Sequence, residues 1–343
     1  MEVLNNNKIL VIQTAFLGDA VLTLPMIQQL KVLFKNSKIS VLCIPSTKDV
    51  FKNSESVDEI IVFDKRNKDK SLISFFKLIL KIRGEQFTYV YSPHRSLRST
   101  LISFFSNAIN TTGFNTASLS GLYKKIISYD SSIHEVARNL SLIGFDITNE
   151  NWKIMPELKT PGEIKNRTDD LLKNLSQKKI IAVAPGSVWQ TKVYPEKYFV
   201  ELIDLLIKNG CEILLIGGKE DKILCERITA NFSEHVYTLA GKISVIESVE
   251  ILKKCFALIC NDSAPTHLAM VAGIPVLTIY CSTVPSFGFY PYNQKSAFVS
   301  YDNLKCKPCG IHGHNKCPEK TFDCAVNLKP QQVFQKLKQI ITV

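Results

Sequence analysis

The sequence predicts an α/β protein of two domains, each a parallel sheet with helices on both faces. Three observations predict it. Short apolar runs alternate with segments of helical periodicity, and a β-α-β-α order of this kind belongs to a parallel sheet. One polar stretch, 149–166, carrying Pro156, Pro161 and Gly162, interrupts that alternation and reads as an interdomain connection. The chain's 343 residues, 45% apolar and 21% charged, suffice for two cores. The expected division is therefore 1–160 and 161–343.

In the first half, Lys8–Ile12 and Ile39–Ile44 read as strands on either side of a helix over Asp19–Phe34. A strand over Glu59–Phe63 follows, then a helix over Leu72–Ile82, a strand over Phe87–Tyr91 and a helix over Ser96–Phe105. The second half repeats the pattern. Strands are expected at Lys179–Ala184, Cys211–Ile216, Val236–Leu239, Cys255–Cys260 and Pro275–Tyr280. Helices are expected at Glu196–Lys208, Asp221–Asn231, Val245–Lys253, after Asn261, and at Pro330–Ile341.

Met1–Lys8 is polar and the apolar run from Ile9 breaks at Gln13 and Thr14, which is not a secretory leader; no run reaches the roughly 18 apolar residues of a membrane helix. A cytoplasmic chain is expected. The net charge of +11 is spread along it, with 20 Lys and Arg against 14 Asp and Glu in 1–160 and 22 against 17 in 161–343. Diffuse positive charge suits a phosphate-bearing substrate, an anionic membrane face or nucleic acid, and equally serves solubility alone.

Four segments could carry chemistry, and each begins where a strand ends. Asn261–Pro275, NDSAPTHLAMVAGIP, opens a helix that Asp262 or Ser263 can cap. Free backbone N–H groups and the positive end of the helix dipole meet there, as a pyrophosphate requires. His267, one turn in, either reaches the same ligand or packs as a core histidine. Gln13–Pro25, QTAFLGDAVLTLP, places Asp19 at a helix N-terminus, as a first-turn carboxylate or as a general base. There is no GxGxxG, which argues against a dinucleotide oxidoreductase. Ala184–Glu196, APGSVWQTKVYPE, offers Ser187 and Lys192 to a diphosphate, with a surface lysine as the alternative. In Ile216–Asp221, IGGKED, Glu220 or Asp221 could accept from ribose hydroxyls or simply cap the next helix. The three turns of the second half share the carboxyl side of one sheet, where open α/β sheets bind ligands.

Taken together, LGDAVLTLP, APGSVWQTKVYPE, IGGKED, NDSAPTHLA and GIPVLTIYCSTVP occur in an order and at a spacing that resemble glycosyltransferase family 9, the ADP-heptose:lipopolysaccharide heptosyltransferases. The resemblance runs from about Lys8 to the final helix. The cysteine pattern near the C-terminus looks more like the heptosyltransferase II branch. It implies a GT-B architecture, two Rossmann-like domains facing across a cleft, the first for the acceptor and the second for the nucleotide sugar, with the final helix crossing back. By matching motif positions it implies Asp19 as catalytic base and Lys192 at the donor phosphates with Ser187. Asp221, or Glu220, would hold the ribose, and Asp262, Ser263, Ala264 and His267 would line the diphosphate turn. The implied reaction is inverting transfer of heptose from ADP-heptose to the lipopolysaccharide inner core, with no metal required. The acceptor, a lipid A–core precursor, is anionic; Arg95 and Arg98 are candidate contacts, with Lys124, Lys125 and Arg138 beside them. Contact with an anionic inner-membrane face would be peripheral, on its cytoplasmic side, through charge and Phe104-Phe105. Transfer of another nucleotide-activated sugar, or of heptose to a protein hydroxyl, stays open on the same fold.

Cys306, Cys309, Cys317 and Cys324 fall within 19 residues and could hold a structural Zn or Fe ion, His312 or His314 replacing one thiol, or could be unliganded. Two rivals follow. A zinc-bearing nucleic-acid-binding protein lacks the basic helix or aromatic-basic interleaving it would need, so no nucleic-acid partner is expected. A sugar-nucleotide epimerase would keep the scaffold and change the chemistry.

Overall fold

The structure, a computed structural model, describes residues 7–173, 175 and 179–341. It divides into two compact units, Met1–Lys159 and Thr160–Val343, one residue from the expected boundary.

The first unit runs β1 (Lys8–Ile12), α1 (Leu17–Leu33), β2 (Lys38–Cys43), α2 (Lys48–Lys52), β3 (Glu59–Val62), α3 (Leu72–Gly84), β4 (Tyr89–Ser92), α4 (Leu97–Phe105), β5 (Asn110–Phe114), β6 (Lys125–Ile127) and α5 (Glu135–Leu142). Among the described residues its sheet has six parallel strands in the order β3-β2-β1-β4-β5-β6. Ile9 to Ile12 are fully buried, as expected of a central strand covered on both faces. On one face, Leu78, Ile79 and Ile82 of α3 and Ile102 of α4 pack against Leu10, Ile12, Leu42 and Ile61.

The second unit runs α6 (Gly162–Leu172), β7 (Lys179–Ala184), α7 (Glu196–Lys208), β8 (Cys211–Leu215), α8 (Lys222–Thr229), β9 (Val236–Thr238), α9 (Val245–Leu252), β10 (Ala257–Asn261), α10 (Ala264–Ala272), β11 (Val276–Tyr280), β12 (Ala297–Ser300), α11 (Asp323–Val326) and α12 (Pro330–Ile340). Its described strands repeat the first unit's topology, in the order β12-β11-β10-β7-β8-β9. The core joins β7, β8, β10 and β11 to α7, and α12 contributes Val333, Phe334 and Leu337.

Several elements differ from the sequence expectation. α6 occupies part of the stretch read as connection; only its Thr168 is buried, so it has no apolar stripe to give it away. Its Arg167 and Asp169 pair with Glu247 and Lys254. β6 and β12 are edge strands, half-exposed and without a continuous apolar run. β5, NTTGF, buries two threonines and Gly113. A Cβ at Gly113 would stand 2.4 Å from the Tyr123 ring, so the position requires glycine because of close approach.

Candidate active site

In each sheet the strand order reverses direction at one point, β1/β4 in the first unit and β7/β10 in the second. Loops leaving those strands diverge there and open a crevice at their carboxyl ends.

In the second unit, Asn261 at the end of β10 ties the two diverging loops together. Its Nδ2 donates to the Pro185 carbonyl at 2.7 Å, and its Oδ1 accepts from the Tyr194 N–H at 3.0 Å. The chain from Pro185 to Tyr194 is thereby pinned at both ends. Lys192, between those pins, extends its ammonium to Asp262 Oδ2 at 2.6 Å. Thr283, after β11, donates to the same oxygen at 2.7 Å. The pair is largely shielded, with side-chain exposures of 14% and 11%, so its charges attract each other through a medium far less screening than water. The sequence named both residues; the structure joins them.

Ser263 is the N-cap residue of α10, but its hydroxyl donates to the Asn261 carbonyl at 3.2 Å rather than capping the helix. Asp262 is likewise committed elsewhere, so neither side chain caps. Ala264 and Pro265 form the first turn, and Pro265 brings no N–H. His267 is buried, and its Nδ1 has no hydrogen-bond partner among the described residues. Burial holds the imidazole down at about 4, the Asp262 carboxylate working against that shift and Lys192 adding to it. At neutral pH it is an uncharged ring next to an ion pair. A buried polar atom without a partner is uncommon, and here it lies in the turn that the sequence assigned to a ligand.

Ser187 is half-buried in the loop after β7. Two residues of the neighbouring IGGKED turn behave differently from each other. Asp221 folds inward and accepts from the Gly218 N–H at 2.9 Å. A Cβ at Gly186 would meet Asp221 Oδ1 at 1.8 Å, and one at Gly217 would meet its Oδ2 at 2.7 Å. The carboxylate thus occupies the space that two glycines leave. Burial raises its pKa, the Gly218 hydrogen bond opposing and the charge of Glu220 reinforcing the shift. Glu220 is exposed, and of the two it is the one facing solvent.

In the first unit, Asp19 sits in the first turn of α1, whose N-cap Phe16 offers no side-chain cap. Its backbone carbonyl accepts from Thr23 Oγ1 at 2.7 Å, and Gln13 Nε2 donates to that hydroxyl at 2.8 Å. Pro25 lies inside α1, where it deprives the helix of one N–H. Asn139 of α5 donates to the Leu22 carbonyl at 3.1 Å, binding α5 to this part of α1. That brings Glu135 and Arg138 to the same region. Arg138 Nε meets Glu135 Oε2 at 2.8 Å, and both are buried. Burial pushes Glu135 up to about 7, Arg138 opposing and Asp19 contributing to the rise. The guanidinium groups of Arg95 and Arg138 lie 4.0 and 4.8 Å from the centre of the Tyr129 ring.

This arrangement sorts the cations named from sequence. Arg95 also donates to Thr116 Oγ1 at 3.2 Å, and Arg98 is exposed at the start of α4. Arg138 is internal, held by Glu135. Lys124 turns back to the carbonyls of Ala108 and Ile109 at 2.7 and 2.9 Å, while Lys125 is exposed. Sequence reasoning missed Thr14, Lys65 and His94. Thr14 Oγ1 and His94 Nδ1 are 2.9 Å apart across the β1/β4 reversal, and Lys65 donates to the Thr14 carbonyl at 2.8 Å. His94 is held down at about 4 by burial and by the charges of Lys65 and Arg95. All three lie just beyond a strand's carboxyl end, the signal that could have found them.

A family model for glycosyltransferase family 9 (heptosyltransferase) matches residues 75–320. The chain belongs to glycosyltransferase family 9. Lipooligosaccharide heptosyltransferase 2 of Campylobacter jejuni is 27% identical over 345 residues, covering 98% of this chain and 99% of the relative. Its counterpart in Haemophilus ducreyi is 23% identical, covering 97% and 99%. The solved structure of Escherichia coli ADP-heptose lipopolysaccharide heptosyltransferase II superposes with a TM-score of 0.78 at 21% identity, covering 97% of this chain and 98% of that one. This family 9 protein is a glycosyltransferase of GT-B fold.

In the glycosyltransferase, the cysteine-rich tail braces the lysine turn. Thr191 N–H donates to the His314 carbonyl at 3.0 Å, and His314 N–H returns a bond to Thr191 Oγ1 at 2.7 Å. Gly313, at φ +77°, fits against them; a Cβ there would be 2.8 Å from Thr191 Oγ1 and 2.9 Å from Ser282 Oγ. Cys309 N–H donates to the Ser282 carbonyl at 2.9 Å. Of the four tail cysteines, Cys306 is exposed, Cys309 and Cys317 are half-buried, and Cys324 is in the core. Among the described residues no three His, Cys, Asp or Glu side chains are gathered to hold a metal ion. The four thiols are near enough to act on one another: Cys306 and Cys317 add to the burial that raises Cys309, and Cys309, Cys317 and Cys306 do the same for Cys324.

Proposed function

We propose that this family 9 glycosyltransferase moves heptose from ADP-heptose to the inner core of lipopolysaccharide, with inversion at the anomeric carbon. The observation that carries the reading is the Lys192–Asp262 pair at the β7/β10 reversal, held between the two anchors of Asn261. A lysine fixed there can exchange its carboxylate partner for donor phosphates and offset charge on departing ADP. Ser187 and the turn Asp262–Ser263–Ala264, with His267 behind it, complete the phosphate side. Glu220 serves the ribose in this reading, and Asp221 orders the loop that presents it. Asp19 takes the proton from the acceptor hydroxyl as its oxygen bonds to the anomeric carbon and the bond to the ADP oxygen breaks. These steps need no metal. Arg95 and Arg98 face the anionic acceptor, a lipid A–core precursor, and the protein works at the cytoplasmic face of the inner membrane as a peripheral enzyme. No helix among the described residues is long and apolar enough to cross a membrane.

The names of the relatives support this donor and acceptor. The test is a thermal shift with ADP, UDP and GDP at matched concentration, followed by turnover with ADP-heptose. Selective stabilisation by ADP is expected, since a ligand of the native state alone raises its stability. Asp19→Asn is expected to lower kcat by about 100-fold or more while leaving ADP binding intact. Stabilisation by UDP or GDP instead would reject the donor, and full turnover by the variant would reject Asp19 as base.

A further inference from the structure

Helix α3 of the first unit is apolar on both sides. Its inner side, Leu78, Ile79 and Ile82, is buried in the sheet core. Its outer side is not covered: Leu72, Ile73, Phe76 and Leu80 are 76%, 69%, 63% and 67% exposed. At 100° per residue these four fall within about 100° of arc, one continuous stripe. Helix α4 lies on the same sheet face and ends in exposed Phe104 and Phe105, ring against ring at 5.1 Å. Lone exposed apolar residues are ordinary, but an ordered stripe of large ones on a folded surface marks a contact.

The charges around the stripe say what kind. Residues 65–84 hold seven Lys and Arg and one acid, Asp69. Lys77, Lys81 and Arg83 are exposed on α3 itself, and Arg66, Lys68 and Lys70 on the loop leading into it. Asp69 is turned away, accepting from the Asp64 N–H at 2.8 Å. An apolar strip bordered by cations on one helix is the pattern of a segment lying in the boundary between headgroups and acyl chains of an anionic bilayer. Nucleic acid would use the cations but not the leucines. A second copy of this chain would set one ring of cations against another.

We propose that the outer face of α3, continued by Phe104 and Phe105, is the surface by which this enzyme seats on an anionic lipid bilayer. This deepens the proposed function, and rests on it only in taking the acceptor to be a membrane lipid. The docking face would keep the first unit at the depth where such an acceptor's sugars emerge.

The test is co-sedimentation of the full chain with vesicles of phosphatidylethanolamine and phosphatidylglycerol, and with vesicles of phosphatidylcholine alone. Binding to the anionic vesicles, weakened by salt and small on the neutral ones, is expected. Phe76→Ser with Leu80→Ser should lower the partition constant about tenfold or more, and Lys77→Gln with Lys81→Gln by a similar factor. None of these side chains is in the core, so the variants should keep the wild-type melting temperature and its response to ADP. Wild-type protein that stays in the supernatant, or variants that bind as wild type does, would overturn the proposal. So would a dimer in light scattering that Phe76→Ser, Leu80→Ser abolishes, because a second copy would then own the face. An ADP response without vesicle binding rejects this surface and leaves the transferase reading; vesicle binding without an ADP response does the reverse.

Discussion

Asn261→Ala offers a direct way to weigh the architecture of the second unit. The side chain is fully buried and makes two bonds, to the Pro185 carbonyl at 2.7 Å and from the Tyr194 N–H at 3.0 Å. Its removal strands one acceptor and one donor in the interior. Each orphaned group costs about 1–3 kcal/mol, so the pair amounts to about 3 kcal/mol taken near the lower end. In a folding unit of this size, about 3 kcal/mol corresponds to a fall in melting temperature of roughly 6–12 °C. A second effect follows, because Lys192 lies between the two pinned points. With both released, the lysine turn should lose its fixed position and ADP affinity should drop even where the protein remains folded. Calorimetric unfolding and ADP titration, performed on the same preparation well below the transition, separate the effects. Asn261→Asp is a useful companion, since it keeps the acceptor for Tyr194 but sets a buried carboxylate oxygen against the Pro185 carbonyl; destabilisation at least as large as in the alanine variant is expected at neutral pH, easing in acid as the new group takes a proton. If Asn261→Ala melted within a degree of wild type and bound ADP equally well, the reasoning that this residue joins the two loops would be wrong.

Gly186→Ala should displace the Asp221 carboxylate, whose oxygen is 1.8 Å from the new methyl position; ADP binding should weaken about tenfold or more, and an unchanged Kd would refute the packing argument. The acid response should have two opposed parts. His94 and His267, each held at about 4 from a reference of 6.5, take up protons only on unfolding, so their contribution to stability is lost as pH falls from 6.5 towards 4. Glu135, pushed from 4.5 up to about 7, keeps its proton in the folded state, so stability is lost as pH rises across that interval. Urea unfolding across this range should therefore show a shallower acid limb in a His94→Gln, His267→Gln variant and a steeper one in Glu135→Gln; curves parallel to wild type would contradict the burial of these groups. Alkylation of the native protein should modify Cys306 first, and Cys281 and Cys324 only on unfolding, because burial shields both and raises their pKa. Early labelling of Cys324, read by mass spectrometry, would show that the tail is not packed as described.

Much of this was legible because central parallel strands must be apolar throughout. β1, β7 and α7 fall on the expected residues, Lys8–Ile12, Lys179–Ala184 and Glu196–Lys208. The placement of the candidate site was legible for a related reason, since motifs that follow a strand are carried to the sheet's carboxyl edge by the fold itself. Edge elements were not, as β6 and β12 need only half a buried face. Nor was α6, which buries only Thr168 and so leaves little apolar periodicity to read. Individual roles depended on burial and on partners that the fold supplies. Arg138 reads as a candidate acceptor contact until the fold buries it with its near neighbour Glu135. Asp221 reads as a ligand for ribose until Gly186, 35 positions away, is seen to make room for it.

Under the proposed function, the contact between Lys192 and Asp262 would make donor capture an exchange of counter-ions. The ammonium is already neutralised by a carboxylate 2.6 Å away, so an arriving anion gains only the difference between its own attraction and that of the incumbent. A singly charged ion offers little beyond what is there. A diphosphate offers more charge and several oxygens at once, and Thr283 is already in place to hold the carboxylate that is released. In that reading, selection for a multiply charged donor would be set before any sugar or base is read, and once ADP departed the internal carboxylate would restore the resting pair.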